Sequence, residues 1–345
     1  MESFINYCCS VPFFLGFILY ATSLLAVIIT TAVAELPKDN RLIVFHDMHI
    51  VGDKRDFEQL KMAFKALLDR EKNTDRRIHI LSESTIDQIK NRKWSILCTL
   101  DKWVSNVTEP LEQAQAESIE VRKLYIAVVS ILLSKESELA QKDLFLSFEG
   151  EGWWRTSIEF KDLLDDFKNQ KKLAYKTYGN LMLVIDNKKE KEYIETVYNC
   201  AIGSAKKGFI RYGDFLKMMD IDITSSKSIY SEVWGWDKMT KDRFFQCLID
   251  CYSPFFDFNA YARILQLHQS NSHLDIVLIA GGDHCWPIRS DILNTLPGEE
   301  VYGKVNDLMP QGSEDLSLDI IYNVLQAQSP LRETPYILPH FCTVF

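Results

Sequence analysis

Short, almost wholly apolar runs bounded by polar residues recur along the chain, and each is typical of a strand buried on both faces of a sheet. The clearest runs cover residues 41–45, 77–81 and 275–280. Between the first two runs, residues 53–68 place apolar side chains three to four positions apart, the spacing of an amphipathic helix. A strand–helix–strand unit of this kind favours a right-handed crossover between parallel strands. The sequence therefore predicts an α/β fold whose mostly parallel sheet is flanked by helices.

The middle of the chain, about residues 85–250, is predicted to be a largely helical insertion. Apolar residues recur at helical spacing across residues 111–133, with charged residues on the opposite face. Residues 181–185 are interpreted as a short strand, and Gly179 before them as a break. Further on, Pro254 follows a serine, which is typical of the first position of a new helix.

The first 34 residues contain an apolar segment that stands apart from this fold. Residues 11–34 carry no charged side chain, and about 20 apolar helical residues are enough to cross a bilayer core. The segment ends in Ala32-Val33-Ala34 before a polar stretch, which is typical of a signal-peptidase site. We therefore expect residues 1–34 to be a targeting segment, either a cleaved signal peptide or an uncleaved anchor, with a hydrophobic helix over residues 11–34. Both alternatives predict a membrane-associated or exported protein with one domain over residues 35–345. The sequence does not specify on which side of the membrane this domain lies.

The charge and the cysteine pattern narrow the classes of partner. The 39 basic and 48 acidic residues give a net charge of −9, whereas nucleic-acid binding needs an excess of lysine and arginine. We therefore expect no nucleic-acid partner. The eight cysteines form no Cys-x-x-Cys pair, so a structural zinc site of the usual spacing is not expected either.

Polar clusters follow the three predicted strands, at the point where each strand ends. The clusters are His46-Asp47-Met48-His49, Ser82-Glu83-Ser84 and Gly281-Gly282-Asp283-His284. In open parallel sheets, binding sites form outside the carboxyl ends of the strands, so we expect the clusters to share one edge. Imidazoles and carboxylates there can ligate a divalent metal ion or act as general acid and base. The glycines would let the backbone approach a ligand closely.

The candidate metal ligands in these clusters are His46, His49, Asp283 and His284. Each also has a plain structural explanation, because a histidine or carboxylate at a strand end often caps a helix or completes a hydrogen bond. Two other histidines are interpreted as structural. His79 lies inside a strand and is expected to form a hydrogen bond across the sheet. His268 is expected to be a surface or tail residue.

Taken in order, the three clusters resemble the motifs of the TraB/GumN/Tiki and ChaN-like superfamily, to which erythromycin esterases are distantly related. In that superfamily the first strand leads into Gly-Glu-x-His or Gly-Ser-x-His. Here Asp47 falls on the acid and His49 on the histidine, while His46 stands at the family's glycine. Glu83 falls on a glutamate that ends the second strand. Gly281 to His284 falls on the closing Gly-x-x-His motif.

This resemblance implies two alternative functions. The first is a membrane-associated hydrolase of peptidase or esterase type that acts on a peptide or a small molecule, with or without a divalent metal ion as cofactor. In that enzyme Glu83 would be the general base, and His49 and His284 would bind the metal or position water. Asp47 would orient a histidine, and Gly281 and Gly282 would approach the ligand. The second alternative is a non-catalytic module of ChaN-like type that binds haem, iron or a protein partner.

Overall fold

A computed structural model describes residues 28–47, 76–83, 114–133 and 158–303 of the 345-residue chain. The strands in these residues are β1 (Ile28–Leu36), β2 (Asn40–Asp47), β3 (Arg77–Ser82), β4 (Ala114–Ser118), β5 (Leu274–Gly281) and β6 (Glu299–Gly303). They form one sheet in the order β4-β3-β5-β2-β1-β6. Strands β4, β3, β5 and β2 are mutually parallel, while β1 is antiparallel to both of its neighbours. The predicted α/β class with a mostly parallel sheet is confirmed.

Helices make up most of the remaining described residues. They are α1 (Lys123–Leu133), α2 (Phe160–Val184), α3 (Lys188–Met218), α4 (Ile229–Trp234), α5 (Lys238–Ser270) and α6 (Gly282–Thr295). Capping fixes where the two longest helices begin. The side chain of Asn187 accepts hydrogen bonds from the first-turn amides of α3, and Asp237 accepts one from the backbone of Thr240 in α5.

The core lies on both faces of the central strands. Leu42, Val44 and Ile276 are fully buried, as expected for parallel strands covered by helices. Helix α5 packs against α2, α3 and α6 and buries side chains around most of its circumference. It approaches α3 so closely at Gly208 that a Cβ atom there would collide with the backbone of Asp250.

The prediction that residues 11–34 form one apolar helix is wrong in its last part. Residues from Ile28 onward belong to β1, where Ala32, Val33 and Ala34 are buried between β2 and β6. The β-branched residues of this stretch favour an extended backbone, and pairing with two neighbours satisfies its hydrogen bonds. Residues 11–27 lie outside the described residues. Among the helices that the structure describes, none is both long enough and apolar enough to cross a membrane.

Three local predictions in the helical region are also wrong. Residues 114–118, predicted as helix, form β4, because pairing with β3 overrides the helix-forming character of their side chains. Residues 181–184 continue α2 rather than forming a strand, and Gly179 lies inside that helix. Pro254 lies inside α5 rather than at its start. In each helix, packing of the buried face outweighs a local cost of about 1–3 kcal/mol.

The two histidines that were interpreted as structural have different outcomes. His79 Nε2 lies 2.7 Å from Glu117 Oε1 on the adjacent strand, which confirms the predicted hydrogen bond across the sheet. The surface position predicted for His268 is wrong, since its side chain is buried and its Nδ1 lies 3.0 Å from Asn40 Nδ2. Burial, with a smaller effect from Lys38, lowers the pKa of His268 to about 4. It is therefore a neutral core residue at neutral pH.

Candidate functional site

The carboxyl ends of β2, β3 and β5 lie side by side at one edge of the sheet. In the strand register Asp47 pairs with Gly281, and Ser82 pairs with Ile279. The backbone N–H of Gly281 also donates to Glu83 Oε2 at 2.6 Å. The predicted common edge of the three polar clusters is therefore confirmed for the backbone.

His284 lies in the first turn of α6 and contacts a carboxylate on α5. Its Nδ1 is 2.6 Å from Asp257 Oδ1. An ionised carboxylate can only accept, so Nδ1 carries the proton and a neutral ring keeps its lone pair on Nε2. That nitrogen lies 3.2 Å from Arg122 Nη1 and 3.5 Å from Glu83 Oε1. With 12% of its side chain exposed, His284 remains within reach of solvent.

Arg122 is the buried positive charge of the site, with only 2% of its side chain exposed. Its Nη2 donates to Glu83 Oε1 at 2.8 Å and to Glu120 Oε2 at 2.7 Å. Its Nε donates to Glu120 Oε1 at 2.9 Å, and the guanidinium lies 4.3 Å from the centre of the Phe256 ring. Burial lowers the pKa of Arg122, but attraction to Glu120 and Glu83 raises it by more, so the residue stays charged. The guanidinium is thus held in place by Glu83, by Glu120 and by the Phe256 ring.

Burial and charge also set the protonation of two neighbouring groups. Removal from water raises the pKa of Asp257, against the opposing effects of its hydrogen bond with His284 and of the Arg122 charge. Burial raises the pKa of Tyr125 to about 12, so its phenol stays neutral beside the guanidinium. The site therefore combines a fixed cation, a histidine–aspartate pair and two further carboxylates.

The structure brings together only part of the predicted set of residues. Glu83 and His284 converge, as the previous distances show. Asp283 is exposed in the first turn of α6, and Gly282 begins that helix. The backbones of His46 and Asp47 form the end of β2, but their side chains lie outside the described residues. His49 lies wholly outside them.

The described side chains do not fit the divalent metal ion that the resemblance implies. A histidine ligand usually donates one N–H to a carboxylate and turns its other nitrogen to the metal. In His284 that other nitrogen accepts from the cationic Arg122 instead. Among the described residues, no group of three or more histidines, cysteines and carboxylates has the geometry of a metal site. Because His284 Nε2 accepts from Arg122, His284 is also not placed to be an axial haem ligand.

Three residues of the site, Glu120, Arg122 and Asp257, were not identified from the sequence. Glu120 and Arg122 follow β4, which resembles a helix in its local pattern. The alternation of apolar and charged residues from Ser118 to Arg122 was the available signal of extended backbone. Nothing local distinguishes Asp257 from the other carboxylates of the helical region.

Comparison with protein-family models, with curated proteins and with solved structures finds no match to this chain. The resemblance to the TraB/GumN/Tiki and ChaN-like superfamily therefore rests on the positions of the three motifs. What the site can do is argued below from its own contacts.

Proposed function

We propose that the chain is a hydrolase of esterase or peptidase type that uses general acid–base catalysis at the carboxyl edge of the sheet. The observation that carries this proposal is the pairing of His284 Nδ1 with Asp257 Oδ1 at 2.6 Å. A carboxylate in this position fixes the tautomer of an imidazole and stabilises the imidazolium formed when the ring takes a proton. His284 is the proposed catalytic base, and Asp257 is its positioning residue.

Both protonation states of His284 have a partner at Nε2. The neutral ring accepts from Arg122 across 3.2 Å, a distance at the long end of the range for hydrogen bonds, so water with better geometry can replace that donor. The protonated ring would be attracted by the charge of the Glu83 carboxylate, whose Oε1 lies 3.5 Å away. A group that is supported in both states can take a proton from water and later return it to a leaving group.

Glu83 acts in this proposal as an anchor and not as the general base that the resemblance implies. One of its oxygens accepts from Arg122 at 2.8 Å, and the other accepts from the Gly281 amide at 2.6 Å. A carboxylate that holds a cation and a backbone amide stabilises their positions more than it attracts a proton. Glu83 thereby ties the guanidinium to the turn that leads into α6.

The start of α6 supplies a means of stabilising the charge that develops during hydrolysis. Helix α6 begins at Gly282, so its first-turn amides lie in the same turn as His284. Such amides, together with the positive end of the helix dipole, favour the oxyanion of a tetrahedral intermediate. Ester and amide carbonyls form an intermediate of this kind, which supports a peptide or a small ester or amide as the substrate class.

The proposal is tested with the purified full chain against chromogenic ester, amide and phosphoester substrates. His284→Asn should slow hydrolysis of the substrate class that the wild type cleaves by about 10³-fold or more, to a rate that can still be measured, with an unchanged circular-dichroism spectrum. His273→Asn is the matched control, because His273 is exposed at the opposite end of β5 and asparagine tolerates its positive φ of 53°. Equal loss in both variants, full activity in His284→Asn or no hydrolysis by the wild type would each contradict the proposal.

We also propose that the apolar residues before β1 target the chain to a membrane or for export. Residues 11–27 carry no charged side chain, and their number equals the lower limit of about 17 residues for a spanning helix. Alkaline carbonate extraction of cell membranes should leave the full chain in the pellet and release a variant that lacks residues 1–27. Release of the full chain, without secretion into the medium or periplasm, would refute targeting.

A further inference from the structure

A polar cavity lies between β4, α2 and α5, apart from the acid–base site, and its volume is about 150 Å³. Its polar lining consists of Glu117, Ser118, Thr177, Asn259, Arg263 and Gln266. This volume is below the roughly 300 Å³ at which drug-sized pockets begin. An occupant must therefore be a polar molecule of few atoms.

The ion pair of Arg263 and Glu117 in this cavity uses only some of its hydrogen-bonding atoms. Arg263 Nε donates to Glu117 Oε1 at 2.6 Å, and His79 Nε2 contacts the same oxygen at 2.7 Å. Glu117 Oε2 has no hydrogen-bond partner among the described residues. Arg263 Nη1 reaches Gln266 Oε1 only at 3.4 Å, and Nη2 has no partner in the described part of the chain. One carboxylate oxygen and one end of the guanidinium thus remain open for a ligand.

Glu117 keeps its negative charge beside the guanidinium of Arg263. Burial raises the pKa of Glu117, but the hydrogen bonds from His79 and Arg263 and the charge of Arg263 outweigh it and hold the pKa below its usual value. Each side chain is 35% exposed, so a ligand can reach the pair from solvent. A simple anion would be repelled by Glu117 and a simple cation by Arg263, so neither is the best complement.

We propose that this cavity binds a small zwitterion of the amino-acid class, with its carboxylate on Arg263 and its ammonium group on Glu117 Oε2. The neutral polar groups around the pair can complete the contacts. Asn259 Nδ2 donates to the Ile119 carbonyl at 3.2 Å, which leaves its amide oxygen as an acceptor for the ammonium group. Ser118 Oγ accepts from the Glu120 amide at 3.2 Å, which leaves its O–H to donate.

The cavity is separate from the acid–base site but adjoins the segment that holds Arg122. Ser118, Ile119 and Val121 line the cavity, while Glu120 and Arg122 contact the site. The binding proposal does not depend on the proposed hydrolase activity, because its test measures binding alone.

The test is isothermal titration calorimetry of the full chain with glycine and L-alanine, and with acetate and methylamine as singly charged probes. We expect dissociation constants in the range of about 1 mM for the two amino acids and at least about tenfold weaker binding of each single-charge probe. Acetate binding as tightly as glycine would overturn the zwitterion assignment. Absence of heat with both amino acids up to about 100 mM would overturn the site itself.

Two variants separate the proposed site from non-specific binding. Arg263→Gln should weaken glycine binding by about tenfold or more, because it removes a charge-assisted contact. The matched control is Arg211→Gln, which changes an exposed arginine on α3 and should bind as the wild type does. Thr177→Leu keeps both charges and fills the cavity, so it should weaken glycine binding at least as much as Arg263→Gln does, while the circular-dichroism spectrum stays unchanged. Unaltered binding in either Arg263→Gln or Thr177→Leu would overturn the proposal.

Discussion

Arg122 Nη1 lies 3.2 Å from His284 Nε2, although the two residues are 162 positions apart in the chain. The contact forms because the end of β4 and the start of α6 meet at the same edge of the sheet. Glu120 and Glu83 bind the guanidinium from the other side and keep it near the ring. His284 is thus fixed at one nitrogen by Asp257 and faces a permanent cation at the other.

Replacing Asp257 with asparagine should slow the reaction with little effect on folding. The amide cannot stabilise the imidazolium as a carboxylate does, so kcat should fall by about 10²–10⁴ while KM changes little. Steady-state kinetics on the substrate identified above provide the measurement. Asp283→Asn is the control, since this neighbouring carboxylate is exposed and its removal should alter kcat by less than about twofold. A wild-type kcat in Asp257→Asn would disprove the positioning role.

Removing the guanidinium of Arg122 should destabilise the fold strongly. Arg122→Met leaves Glu120, whose side chain is fully buried, and Glu83 without their cation. An uncompensated buried charge of this kind costs about 3–5 kcal/mol in the free energy of unfolding. Urea denaturation of the variant measures this loss. Arg211→Met, which breaks an exposed ion pair with Asp250, should cost less than about 1 kcal/mol, and similar losses in both variants would contradict the account.

The stability of the helical region should depend on the protonation of Asp166. Burial raises the pKa of this carboxyl to about 6, from 3.8, against weaker hydrogen bonds from Tyr252 and Gln170. The folded state then holds its proton more tightly than the unfolded state. The contribution of the protonated Asp166 carboxyl to the free energy of unfolding is therefore complete below pH 3.8 and is lost as the pH rises through about 6.

Asp166→Asn should therefore be more stable than the wild type at pH 7, by on the order of 2 kcal/mol, and should lose this advantage near pH 4. Asp222→Asn should instead be less stable than the wild type at neutral pH, and this difference should disappear on acidification. Hydrogen bonds from Thr224 lower the pKa of the exposed Asp222, so its contribution is present at neutral pH and is lost on acidification. Urea denaturation at several pH values measures both variants. A constant difference between Asp166→Asn and wild type across this range would count against a raised pKa.

Cleavage after Ala34 should be incompatible with a stable sheet. It would remove residues 28–34 from β1, together with their pairing to β2 and β6 and the buried side chains of Ala32 and Val33. A chain of residues 28–345 should fold with the cooperative urea transition of the full chain, whereas residues 35–345 should have a much lower midpoint. Equal midpoints would show that β1 contributes little, and mass spectrometry of the mature amino terminus would then identify the cleavage site.

The sequence was sufficient to predict the strands that are buried on both faces. Strands β2, β3 and β5 contain almost wholly apolar runs, and the described side chains of these runs are buried on both faces of the sheet. Their polar ends predicted the edge at which Glu83 and His284 meet. These features depend on patterns within a few residues, which a single sequence shows directly.

The rest of the site depends on contacts that no local pattern reveals. Strand β4 is rich in alanine, glutamine and glutamate, which favour helices, and it becomes a strand only by pairing with β3. Because residues 111–133 were predicted to be a helix, Arg122 was not recognised as a site residue, since a charged residue on a helix face is ordinarily solvated. Asp257 was missed for a related reason, since its role follows from the packing of α5 against α6.

The account's central claim is that His284 and Asp257 act as one catalytic unit. The most direct test is kcat/KM of the double variant His284→Asn/Asp257→Asn against each single variant. Residues that act as a unit show strongly non-additive losses, so the double variant should be no slower than His284→Asn alone. Losses that multiply, with the double variant slower than His284→Asn by the full factor seen for Asp257→Asn, would show that the two residues act independently and would contradict the claim.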